Sequence, residues 1–114
     1  MAVLVIEPLP DLPSAAAAVF HRDVLPRAAA LLDDGAQCLT LMFAEADHTH
    51  RGWRLAAVQM LAREHAPARV NALAGGNAAA IAAALAYLGA ADGVTGQYLP
   101  LDDVGAGPVV LPAE

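Results

Sequence analysis

The chain has 114 residues, enough for one domain with a sizeable core and too few for two. Its hydrophobic content of 58% and mean hydropathy of +0.49 exceed the usual range for a soluble domain, and alanine supplies much of the excess, so either both faces of its elements are covered or an apolar face meets a partner. A net charge of −6, from six arginines, no lysine and twelve acids, leaves no basic patch for nucleic-acid phosphates and makes an anionic membrane surface unattractive.

Residues 2–6, AVLVI, form a continuous apolar run closed by Glu7-Pro8, which suits a strand covered on both faces. The run is too short, and lacks the basic flank, for a signal peptide or a membrane span, so a cytoplasmic protein is expected. Leu9 to Pro13 reads as a turn. Ser14 is placed to cap a helix through residues 15–32, with Pro26 kinking or splitting it and Gly35 following its end. A second buried strand is predicted over 37–43, and its Cys38, the lone cysteine, reads as an inert core thiol. The polar stretch Glu45 to His50 leads into a helix from Arg51 to His65, stopped by Ala66-Pro67. A third strand covers 69–73. Gly75-Gly76-Asn77 turns into an alanine-rich helix over 78–88, and 89–96 is a loop. A fourth strand covers 97–101, and residues 104–114 read as an extended arm.

Strands without alternation, separated by helices, predict an α/β fold: an open parallel sheet of about four strands within a three-layer α/β/α sandwich, with right-handed crossovers. The helix at 51–65 carries two largely apolar stripes, one of Leu55, Val58 and Ala62, the other of Trp53, Ala57, Met60, Leu61 and Glu64. One stripe meets the sheet. In so small a domain a second chain is the expected cover for the other, with the N-terminal helix as the alternative.

ARE at 62–64, RVNALAGG at 69–76 and AYLGAADGVTGQYLPLDD at 86–103 are the stretches with the most specific spacing. On these residues the chain from Arg51 to Asp102 resembles the C-terminal half of short-chain dehydrogenases/reductases. Residues 20–43 resemble that family's fourth helix and fifth strand less specifically, and AVLVI then stands where the fourth strand does. The resemblance implies a truncated Rossmann-like domain spanning 1–114 and about half of a full-length member. Its absent parts matter most. No glycine-rich TGxxxGxG turn is present to receive a dinucleotide pyrophosphate, so no cofactor is expected. The strand end that carries the family's serine reads LMFAEAD. Counting back from ARE, the tyrosine position falls on Asp47 and the lysine position on Arg51, whose guanidinium stays protonated. The resemblance also implies two inherited assembly surfaces, helices 14–32 with 51–65 and segments 78–88 with 97–102. Phe20, Leu25, Trp53, Ala57, Met60, Leu61, Tyr87 and Tyr98 are their candidate interface residues.

Other constellations are sparser. Glu45, His48 and His50 are candidate metal ligands, and Asp47, His48 and Arg51 are candidate acid–base groups; the bland reading is a solvated loop whose acids favour a helix N-terminus. Gly75, Gly76 and Asn77 are candidates for holding an anion or cofactor, against a tight turn that needs positive φ. Asp102-Asp103 reads as a turn, and His21, Arg22 and Arg27 as surface or interface groups. The expected role is a non-catalytic subunit: a homodimer or homotetramer, or a heteromer with a full-length dehydrogenase. The alternatives are a small enzyme or ligand-binding protein with a new site at Asp47, His48, His50 and Arg51, and an NAD(P) half-site completed by a partner.

Overall fold

The computed structural model of the chain describes residues 1–102. The predicted arm, and the idea that it covers the first strand, lie outside the described residues. Four parallel strands, β1 (Ala2–Val5), β2 (Cys38–Phe43), β3 (Arg69–Ala74) and β4 (Tyr98–Pro100), pair in sequence order. Leu4 stands opposite Leu41, Leu41 opposite Ala72, and Ala72 opposite Tyr98. Helices α1 (Pro13–Val19), α2 (Leu25–Asp33) and α3 (Arg51–Glu64) cover one face, and α4 (Ala78–Ala90) lies on the other. This is the expected three-layer, Rossmann-like arrangement.

The first helix starts two residues earlier than a Ser14 cap predicts. Pro13 occupies its first turn and Leu12 its cap position, with no side-chain cap bond. Proline is pre-set for that position and its missing N–H is no loss there. Pro26 acts as anticipated, and the structure supplies the means. The chain widens into a π-helical turn over Phe20–Val24, and the Leu25 N–H bonds to the Phe20 carbonyl five residues back. That extra residue moves the proline ring off the carbonyl it would otherwise strike.

The central strand β2 is covered on both faces, as its unbroken apolar run predicts. β1 is not, and here the expectation fails. Leu4 and Ile6 enter the core, whereas Val3 and Val5 are 39% and 57% exposed. β1 is the sheet edge, and α4 packs chiefly over β3.

The second stripe of α3 is also covered from within. Phe20 stacks on Phe43 at 5.6 Å and meets Trp53 edge-on at 5.5 Å between ring centroids. The N-terminal helical segment therefore takes the place expected for a second chain. Among the candidate interface residues, Phe20, Ala57, Leu61 and Tyr98 are buried in this chain's own core and present nothing to a partner. Leu25, Trp53 and Met60 are half-buried, and Tyr87, at 56% exposure, faces outward.

The stretches most specific to the family resemblance serve the fold. Arg69 reaches across the end of α4 and donates from Nη1 to the Leu88 and Ala91 carbonyls, at 2.7 and 2.6 Å. These carbonyls have no partner inside the helix. Asn71 is fully buried; it donates to the Val94 carbonyl and accepts from the Gln97 N–H, both at 3.0 Å. The Val70 N–H donates to the Thr95 hydroxyl. RVN and VTGQ thus read as two halves of one clamp that seats β4 beside β3.

Candidate functional site at the strand ends

All four strands run in one direction, so the segments after them gather at a single end of the sheet. Open parallel sheets bind ligands at that end. Here it consists of Glu7–Asp11 after β1, Ala44–Asp47 after β2, Gly75–Asn77 after β3 and Leu101–Asp102 after β4.

Asp47 caps the turn His48–His50 that opens α3. Its Oδ1 accepts from the Thr49 N–H at 2.9 Å and from the Thr49 hydroxyl. The hydroxyl first, and the N–H second, hold the Asp47 carboxyl below its ordinary value, against a smaller opposing effect of burial. A carboxylate so held is a poor proton donor to a carbonyl, and capping explains its presence. His48 is exposed.

His50 is buried, and both its nitrogens are engaged. Trp53 donates its indole N–H to Nδ1 at 3.1 Å, and Nε2 lies 2.9 Å from the Asp11 carbonyl. An indole only donates and a carbonyl only accepts, so the ring carries its proton on Nε2. That arrangement removes His50 from the candidate metal ligands and bases, because no lone pair remains. Glu45, His48 and His50 do not converge, and among the described residues no group of three His, Cys, Asp or Glu is placed to hold a metal ion. Arg51 is exposed, with its guanidinium 5.9 Å from the centre of the Tyr98 ring.

Gly75 and Gly76 have φ of 71° and 90°. A Cβ on Gly76 would stand 2.8 Å from the Leu101 Cβ, and one on Gly75 would stand 3.1 Å from the Glu45 Cβ. The glycines meet the demands of a tight turn between β3 and α4. Asn77 caps α4 by accepting from the Ala80 N–H at 2.8 Å. Their part in holding an anion gains nothing from this geometry. Arg22 pairs with Asp23 at 2.8 Å on the exposed side of the first helix, as a surface pair.

The residue that sequence reasoning passed over is Arg54. It is only 4% exposed, inside α3, with its guanidinium 4.4 Å from the centre of the Phe43 ring. Nη1 donates to the Ala44 carbonyl at 2.9 Å and to the Tyr98 hydroxyl oxygen at 3.1 Å, while Nε is enclosed with no partner. A signal was present: Arg54, Val58, Leu61 and Ala62 share the i, i+4, i+7, i+8 spacing of one helix face, and an arginine there must be buried. Arg54 lines a cavity of about 430 Å³ with Leu9, Asp11, Glu45, Asp47 and His50.

The family model described as short chain dehydrogenase-like protein matches residues 4–101. No curated protein and no solved structure matches the chain. No helix among the described residues is long and apolar enough to cross a membrane. The match runs from within β1 to just past β4 and takes in all of β2, β3 and β4 with the Arg69–Asn71 clamp; this chain belongs to the short-chain dehydrogenase-like family.

Proposed function

We propose that this chain is a non-catalytic member of its family that works as an oligomerising or accessory subunit, either with copies of itself or docked on a full-length dehydrogenase. The observation that carries the reading is the employment of the two positions where the family keeps its tyrosine and lysine. Asp47 is tied into a helix cap as a carboxylate, and Arg51 is a permanent cation that cannot exchange a proton near neutral pH. Protonation of a carbonyl has no donor in this pair.

The assembly half of the reading draws on β1. Val3 and Val5 stand bare on one face, and the outer edge of the strand has no neighbour among the described residues. Such an edge invites pairing unless something covers it. The test is the native mass of the purified chain by light scattering, alone and mixed with a full-length dehydrogenase of the same family. A mass of two or four times 11.6 kDa, or a stable mixed complex, is expected. A clean monomer in both settings overturns the assembly half. Turnover of a carbonyl substrate with a nicotinamide cofactor by the pure chain overturns the other half.

A further inference from the structure

We propose that the Nε/Nη2 side of the Arg54 guanidinium is a carboxylate-binding site, for a small ligand that also carries a cationic group. The site would exist whether or not the chain assembles. Its basis is an imbalance in the buried guanidinium. Both acceptors that the fold supplies, the Ala44 carbonyl and the Tyr98 hydroxyl, fall on Nη1. Nε has none, and Nη2 donates to no protein acceptor among the described residues. No ion pair joins Arg54 to a carboxylate among the described residues. A buried cation is normally paired or removed from the interior.

The unused side has a definite shape. The Nε–H and the outer Nη2–H of a guanidinium are coplanar and parallel, and they match the two oxygens of a carboxylate. The rings of Phe43, at 4.4 Å, and Trp53, at 5.8 Å, hold the plane in place. Nε is enclosed, so a ligand oxygen reaches it only with a small rotation of the guanidinium about its stem. Space is present in the cavity of about 430 Å³ that Arg54 lines.

The chain's own carboxylates do not fill the role. Asp47 is tied to Thr49, and no hydrogen bond or ion pair joins Glu45 or Asp11 to the Arg54 guanidinium. All three acids line the same cavity and repel a bare anion. A ligand with a carboxylate for Arg54 and an ammonium for the acidic wall answers both charges. That is the chemistry of an amino acid or a similar small zwitterion.

The test follows the Arg54 Nε–H resonance by nitrogen-15 NMR in the full chain while L-lysine, and separately acetate, is added. L-lysine is expected to move the resonance saturably, with acetate roughly tenfold weaker for want of the cationic contact. Arg54→Met is expected to abolish L-lysine binding. If that variant fails to fold, the exposed double substitution Glu45→Gln with Asp47→Asn serves, since asparagine still caps, and it is expected to lower L-lysine to the level of acetate. No saturable shift with L-lysine overturns the proposal, as does equal binding of acetate by the native chain. It also falls if Glu45→Gln alone, with nothing added, moves the resonance as far as L-lysine does, because Glu45 is then the occupant.

Discussion

On one face of the sheet Phe20, Phe43 and Trp53 meet with ring centroids 5.5 to 5.8 Å apart, over a floor of Leu39, Leu41 and Val70 that is sealed from solvent. On the other face a helix made largely of alanine packs chiefly over β3 and buries Ala80 and Leu88. Val3 and Val5 are left in the open beside a groove that reaches Met42, Leu73 and Ile81. Both faces are apolar in composition, yet only the first can be closed by this chain. Area buried depends on side-chain bulk: large rings and a two-part helical layer span the first face, while alanine brings α4 close to the sheet and covers little of it. A high apolar fraction therefore has two meanings within one molecule.

Substitutions on each face test this contrast. The largest effect is expected from Phe20→Ala. It removes the ring that Phe43 and Trp53 share, leaves a cavity under two helices, and should cost about 3–5 kcal/mol in a urea unfolding curve. A loss below ~1 kcal/mol would mean that the aromatic face is no better closed than its opposite. Next comes Gly76→Ala, at the open end of the α4 side. The new Cβ meets Leu101 at 2.8 Å in a backbone at φ 90°, so destabilisation of about 1–3 kcal/mol is expected. An unchanged midpoint would show that the turn has room to relax.

Replacing Val3 and Val5 together by threonine keeps the β-branch and should change monomer stability by no more than about 0.5 kcal/mol, because both are already wet. If that face is an assembly surface, light scattering should record a lower mass at the same concentration. An unaltered assembly would move the interface elsewhere.

The smallest effect is a pH slope. Folding lowers the Asp47 carboxyl below its ordinary value, chiefly through the Thr49 hydroxyl. Its contribution is then present above the unfolded value, near pH 4, and fades as pH falls through the folded one. Asp47→Asn keeps a capping oxygen and should flatten stability against pH below about 4 without moving it at neutrality. A slope identical to that of the native chain would separate the cap from the acid response.

Much of this architecture is legible in the residues themselves. Unbroken apolar runs such as CLTLMF call for a strand covered on both sides, and β2 is one. Pro26 calls for a break, and a π turn appears just before it. RVN and VTGQ carry the family signal, and the clamp of Arg69, Asn71 and Thr95 explains why those residue types are needed there. AVLVI is as unbroken an apolar run as β2 and predicts the same cover, but its place at the edge leaves one face bare. The site was less legible. His50 looks like a ligand in EADHTH, and only the approach of Trp53 and Asp11 shows that its nitrogens are used. Arg54 looks like one more surface cation until its helix face is known.

The sequence by itself determined the order of elements, the parallel sheet, the family and the absence of any lysine, because these depend on periodicity, turn residues and side-chain identity along the chain. Tertiary structure alone decided which apolar stretch is covered, which histidine has both nitrogens engaged and which arginine is buried without a carboxylate. Those outcomes depend on what distant segments bring within bonding distance, as when Asp11 meets His50 and Ala44 and Tyr98 meet one nitrogen of Arg54.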